Sequence, residues 1–178
     1  MNITIAQEHP TDYELTENVV KAAFEHAEYS DKSEHKLVSR LRKSDAFIPA
    51  LSLVAKDREQ NKILGHTLLS KIIIRNDSQS TASLALAPVS VLPAYQGKGM
   101  GSLLITEALK KAKKLGYSSV VVLGHPEYYP KFGFQKASLW GIKAPFEVPD
   151  EAFMVIELSG NALHTISGVV EYSKAFFE

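Results

Sequence analysis

Val91-Leu92-Pro93-Ala94-Tyr95-Gln96-Gly97-Lys98-Gly99-Met100-Gly101-Ser102 is the stretch that decides the fold. Before it, Ser83–Leu92 is apolar and strand-like and stops at Pro93. After it, Gly99–Leu115 reads as a helix, with Leu103, Leu104, Ala108, Ala112 and Leu115 on one side and Gly116 as its C-cap. Ser119–Leu123 then reads as a buried parallel strand. The unit is strand–turn–helix–strand, with a right-handed crossover. Its turn carries Gly97, Gly99 and Gly101. The first amides of a helix lack internal partners and, with the macrodipole, favour an anion. Lys98 adds a cation, so the stretch reads as a phosphate or pyrophosphate cradle. Two better-known phosphate loops do not fit. Counting from Gly97, the sixth position is Ser102, where the dinucleotide fingerprint needs glycine, and Gly97-Lys98-Gly99 does not supply the Walker spacing. The plainer reading is a glycine-rich turn that merely starts a helix, but glycines this dense are entropically costly.

Outward from this unit, Asn2–Ala6 reads as a strand. Thr11–Ala27 reads as a helix capped by Thr11, with Leu15, Val19, Ala22, Ala23 and Ala27 near helical spacing. Ser33–Lys43 is a second helix, with Leu37 and Leu41 inward. Leu51–Ala55 and Ile63–Ile74 are β-rich and joined by a polar hairpin loop, Asp57–Asn61. Tyr128–Phe132 reads as a short helix or turn, and Phe134–Ala137 and Ala152–Leu158 as strands. The stretch 159–178 carries no clear pattern. One domain over 1–178 is expected, of α/β class, with a mixed twisted sheet flanked by helices on both faces.

Lys+Arg and Asp+Glu are both 20, so the formal net charge is zero, which argues against a dedicated nucleic-acid binder. No apolar run approaches the roughly 20 residues of a membrane span, and Met1–Glu8 does not read as a secretory signal. There is no cysteine, which excludes disulfides, thiolate zinc sites and a cysteine nucleophile. A cytoplasmic protein without a metal fits this composition. His26 and His35 do not have metal-ligand spacing on one helix, and no His-Glu-x-x-His motif occurs.

Gln96-Gly97-Lys98-Gly99-Met100-Gly101 matches the Q/R-x-x-G-x-G/A signature of the GNAT acetyltransferases. Tyr129-Pro130-Lys131-Phe132-Gly133-Phe134 resembles that family's Y-x-K-x-G-F block, in the right order and at fitting distance. Val148–Met154 adds a resemblance to the YhbS-like branch, which would cover most of the chain. The resemblance implies a splay between the central parallel strands. The backbone amides of Gly97, Lys98, Gly99, Met100, Gly101 and Ser102 would hold the pyrophosphate of acetyl-CoA, with Gln96 shaping the turn. Val89, Ser90 and Val91 would carry a bulge, pair with pantetheine, and aim an amide at the thioester carbonyl. Tyr129 would protonate the departing thiolate, with Tyr128 as the neighbouring alternative; a phenol keeps its proton at neutral pH. Where many members carry Asn and Ala in the preceding turn, this chain has Gly124-His125-Pro126-Glu127.

The implied activity is direct transfer of an acetyl group from acetyl-CoA to a primary amine. Without cysteine there is no thiol to carry an acyl group, and no Gly-x-Ser-x-Gly elbow offers a serine route, so direct attack of the amine on the thioester is expected. Rival readings are another acyl-CoA donor, or a CoA-binding sensor without turnover. Candidates for the base that takes the amine proton are His66, His125, Glu127, Asp150, Glu151 or water; for each side chain the plainer reading is a surface imidazole or a solvated carboxylate. Asp150 and Glu151 could steer a cationic acceptor, or only cap a turn. Lys110, Lys111, Lys113 and Lys114 read chiefly as a solvated face at a helix C-terminus, and secondarily as a contact for the 3′-phosphate. Trp140, Phe146 and Phe153 read equally as core or as pocket lining. Partners are acetyl-CoA and an amine, with no nucleic acid or membrane, and with room for a homodimer.

Overall fold

Alternation of apolar residues sets the central strands, and a computed structural model describing residues 1–28 and 30–177 shows how they join. The strands are β1 (Ile3–Gln7), β2 (Ser52–Asp57), β3 (Lys62–Arg75), β4 (Ser80–Val91), β5 (Ser119–Leu123), β6 (Gln135–Lys136), β7 (Ile142–Lys143), β8 (Phe153–Glu157) and β9 (Gly168–Glu171). The helices are α1 (Tyr13–Phe24), α2 (Glu34–Arg42) and α3 (Met100–Lys114). The sheet runs β1-β2-β3-β4-β5-β8-β6, and β9 pairs with β3 and β7. Every pair along the main order is antiparallel except β4 with β5. The α/β expectation with helices on both faces therefore holds.

On one face Leu53, Leu64, Leu69, Leu84, Val120 and Val122 pack against Leu104, Ile105, Ala108 and Ala112 of α3. Leu104 and Ile105 are fully buried, each contributing about 1.5–3 kcal/mol. On the other face Val20 of α1 and Val38 and Leu41 of α2 close over Leu68. The α3 stripe is narrower than its leucines suggest, since Leu103 and Leu115 are about half exposed, at 50% and 49%. In α1 the buried residues are Thr16, Val19 and Val20, while Leu15 faces water. Thr11 does not cap this helix. It lies in a 3-10 turn, Pro10–Asp12, capped by His9, and α1 begins after it and ends at Phe24.

The tail without a sequence pattern supplies β9, which takes the edge of β3 beyond the end of β2: Ile73, Ile74 and Arg75 oppose Glu171, Val170 and Val169. Among the described residues no helix is long and apolar enough to cross a membrane.

Candidate active site

The site begins where β4 leaves β5. The two pair only at Leu84–Val120 and Ala85–Val121. Beyond that, β4 bulges. Thr67 opposes Val89 and Leu69 opposes Leu86, so Leu68 alone faces Ala87 and Pro88. The bulge therefore precedes Val89–Val91 rather than falling within it.

Ladder alternation decides which backbone groups face the gap. The amide of Leu92 donates to the Leu64 carbonyl at 2.8 Å, and Ser90 sits opposite His66. Residues 90 and 92 thus turn their backbone groups to β3, and 89 and 91 turn theirs to the gap. The Gln96 Nε2 donates to the Val91 carbonyl at 3.0 Å, which pins the loop to this edge. Ser90 behaves differently from its neighbours, since its side chain is buried and its Oγ has no partner.

Beside the gap lies a cavity of about 460 Å³, lined by Val89, Val91, Tyr95, Gln96, Gly97, Gly99, Met100, Gly101, Ser102, Tyr128, Tyr129 and Lys131. Gly97 and Gly99 have φ of 75° and 81°, a left-handed conformation that glycine adopts without strain. Gly99 is the N-cap of α3, so the unpartnered amides of the helix start open onto the cavity. Met100 contributes backbone only, its side chain being in the core. Lys98 is exposed, with its Nζ 5.6 Å from the Tyr95 ring centre.

Both tyrosines reach this cavity, in different ways. The Tyr128 hydroxyl lies 3.3 Å from Ser102 Oγ. Tyr129 packs edge-on against Tyr128 and Phe134, with ring centres 5.1 and 5.7 Å away. Burial, with a smaller contribution from Tyr128, pushes the Tyr129 phenol up to about 12, so it keeps its proton. Gly124 explains how the ring fits: a Cβ there would lie 2.4 Å from Tyr129 Cε2.

None of the candidate bases lines this cavity. His125, Glu127, Asp150 and Glu151 are exposed, and Asp150 Oδ2 lies 3.9 Å from Lys136 Nζ. His66 is fully buried on the other side of β3, in a polar cluster. Arg42 holds Glu8 at 2.6 Å, Ser52 Oγ donates to Glu8 at 2.8 Å, and His66 Nε2 lies 3.0 Å from Ser52 Oγ. Because the serine proton is committed to the carboxylate, the His66 Nε2 carries the hydrogen and Nδ1 is the bare acceptor. Burial pushes His66 down to about 4, with Glu8 opposing and Arg42 assisting, so it is neutral and a weak base. The lysines at the far end of α3 begin 11 residues beyond Gly99, about 16 Å along the axis. Lys131, which the sequence reading passed over as a site residue, borders the cavity instead.

Comparison with known proteins fits this geometry. A family model described as an acetyltransferase (GNAT) domain matches residues 49–136. The N-acetyltransferase YhbS of Escherichia coli K12 is 32% identical over 172 residues, covering 97% of each chain. The chain belongs to the GNAT N-acetyltransferases. This is a family of acetyl-CoA-dependent enzymes. YjhQ of the same organism is 38% identical over 116 residues, 65% of this chain and 63% of that one. The crystal structure of E. coli YhbS in complex with CoA superposes with a TM-score of 0.88, at 29% identity, over 100% of this chain and 93% of that one. A GNAT acetyltransferase from Brucella melitensis in complex with acetyl-CoA gives 0.80 at 32% identity, over 98% of each chain. The GNAT loop thus coincides with the strand edge and both tyrosines, while the carboxylates and His125 lie elsewhere.

Proposed function

We propose that the chain transfers an acetyl group from acetyl-CoA directly to a primary amine, using the cavity between α3, the β4 edge and Tyr129. The observation that carries this is the convergence of a helix-start anion cradle, an unpaired strand edge and a protonated buried phenol on one cavity of about 460 Å³. The amides of Gly97–Ser102 receive the pyrophosphate. The outward groups of Val89 and Val91 pair with the amides of pantetheine as a neighbouring strand would, and the Val91 amide faces the developing oxyanion. The amine lone pair attacks the thioester carbon, the C–S bond breaks, and Tyr129 gives its proton to the departing sulfur. Since none of the candidate bases borders the cavity, the amine proton leaves to water. The related structures with CoA and acetyl-CoA support this donor, and the partners are acetyl-CoA and an amine in the cytosol.

A thiol-release assay with acetyl-CoA and an amine panel tests the reading. CoA release that depends on amine is expected. Tight CoA binding without release under any amine would leave a sensor, and a preference for propionyl- or succinyl-CoA would replace the acetyl group.

A further inference from the structure

Ser90 Oγ and His66 Nδ1 are buried without a hydrogen-bond partner among the described residues. The two belong together. Ser90 of β4 lies directly opposite His66 of β3, so both side chains rise from one face, with Cβ atoms roughly 4.5–5.5 Å apart. That face lies under α1. Val54 of β2, opposite His66, packs with Val19, and Leu68, two residues along β3, packs with Val20. The ring orientation agrees. His66 Nε2 is turned to Ser52 of β2, 3.0 Å from its Oγ. The two nitrogens of an imidazole point well apart, so Nδ1 is turned from β2 toward β4, where Ser90 sits.

We propose that His66 and Ser90 hold one buried water between β3 and β4, and that this water makes Ser90 a positioning residue for the pantetheine arm of the donor. A water supplies what both atoms lack: it donates to Nδ1 and accepts from the Ser90 hydroxyl. Both groups left unpaired at such burial would be costly. Thr16 Oγ1 is a third buried hydroxyl without a partner among the described residues. It lies on the Val19–Val20 stripe of α1 and offers the water a bond from the helix. The water completes a chain whose hydrogens run one way. Ser90 donates to the water, the water to His66, His66 to Ser52, and Ser52 and Arg42 to Glu8. Bonds ordered in this way polarise one another in the same sense.

The position of Ser90 gives the chain its use, and here the inference rests on the acetyl-transfer reading, in which Val89 and Val91 pair with pantetheine. The side chains of those two pack on the α3 side, while that of Ser90 enters the α1 side beside His66. Past the bulge, β4 has β3 on one edge and the gap on the other. Ladder bonds along a single edge resist roll about the strand axis only weakly. A bond from the Ser90 side chain, roughly perpendicular to the ladder, resists it directly. Roll at Ser90 would tilt the outward groups of Val89 and Val91 together and misdirect both hydrogen bonds to the arm.

A high-resolution crystal structure of the parent protein tests the water itself. One ordered water should lie about 2.7–3.2 Å from both Nδ1 and Oγ. A dry site, or a Ser90 hydroxyl bonded straight to Nδ1, would overturn the inference. Calorimetry tests the positioning role with two probes, acetyl-CoA and adenosine 3′,5′-bisphosphate, which carries phosphate for the cradle but no pantetheine. Ser90→Ala should weaken acetyl-CoA binding about three- to tenfold, the worth of one hydrogen bond, and leave the bisphosphate unchanged. Ser90→Cys, close in size but a weak donor, should fall between parent and alanine variant. A hydroxyl that only stabilises the fold would move neither affinity, or both alike, and either result would overturn the positioning role. A parent that holds the water but binds neither probe would overturn the acetyl-transfer reading and the positioning role with it, and leave the water site standing.

Discussion

Replacing Gly124 by alanine perturbs one object, the ring of Tyr129. The new Cβ would stand 2.4 Å from Cε2, 3.1 Å from Cδ2 and 3.3 Å from Cζ. Carbon atoms in contact prefer about 3.5–4.0 Å, so something must move by roughly 1 Å. The backbone resists, because the Gly124 amide donates to the Ala152 carbonyl at 2.9 Å, next to the β5–β8 ladder. Gly124 is also outside the positive-φ region, so alanine brings no backbone strain of its own. The ring must yield, away from Gly124 and into Tyr128 and Phe134. Misplacement of a reacting group by about 1 Å can cost on the order of 10²-fold. Overpacking costs about 1–3 kcal/mol of stability. We therefore expect Gly124→Ala to lower kcat by one to two orders of magnitude, with acetyl-CoA affinity within about threefold of the parent. Thiol-release kinetics and calorimetry measure the two quantities. Tyr129→Phe alone should lower kcat by about 10²–10⁴. With the hydroxyl already gone, adding Gly124→Ala should cost little more, because both act through one group. A folded Gly124→Ala protein with parental kcat, or fully multiplicative losses in the double variant, would refute the role given to Tyr129.

Gly99→Asp puts a side chain and a negative charge at a left-handed N-cap facing the cradle, and acetyl-CoA affinity should fall at least tenfold, about 1.4 kcal/mol; unchanged affinity by calorimetry in a folded variant would remove the cradle. The kcat/KM should climb with pH to the acceptor's own pKa with no further break before pH 10, because Tyr129 is held at about 12; a pH–rate profile breaking near 7 would reveal a protein base. Burial holds His66 at about 4 in the fold against 6.5 for the ordinary imidazole, so the unfolded chain protonates first and stability falls as pH drops through that window. The loss should be about 3 kcal/mol, seen in denaturant titrations between pH 7 and 4, and His66→Gln should flatten that part of the slope.

What could be read from sequence was what lies close together along the chain. The cradle is one continuous stretch, and its glycines, its cation and the following helix sit within a few turns of each other. Tyr129 was legible through a second local block. The strand edge was placed only as three consecutive residues, since the alternation that separates Ser90 from Val89 and Val91 depends on the register with β3. The bulge at Ala87–Pro88 is likewise a property of two strands together. Longer-range features were not legible. The Glu8–Arg42–Ser52–His66 cluster joins α2, β2, β3 and the residue just after β1, and no spacing in the sequence announces it. β9 is four residues without strong patterning, and becomes a strand because β3 outruns β2. The apolar cavity of about 300 Å³ on the α2 side of the sheet unites Leu37 with Phe146, Tyr172 and Phe176, which lie more than a hundred residues further along the chain. Thr11 was misplaced as a cap because the preceding His9 and Pro10 already close a tighter turn.

A gap between two strands must be held open without being loose, and here each edge is anchored by its outer neighbour. At the closed end, Leu84 and Val120 are fully buried, and Ser83 Oγ bonds Ser119 Oγ at 2.7 Å just below them. At the open end, β5 stays straight because Val122 and Leu123 pair with Met154 and Phe153 of β8. On the other side, Val89, Ser90 and Val91 remain registered to Thr67, His66 and Gly65 of β3. Neither edge needs the other. Unpaired strand edges ordinarily invite association with other chains. This one is short, begins at a bulge and lies against the loop before α3, so a second chain finds little to add to. A ligand of strand-like width meets an edge already fixed in place. Little of its binding energy then goes into ordering the protein.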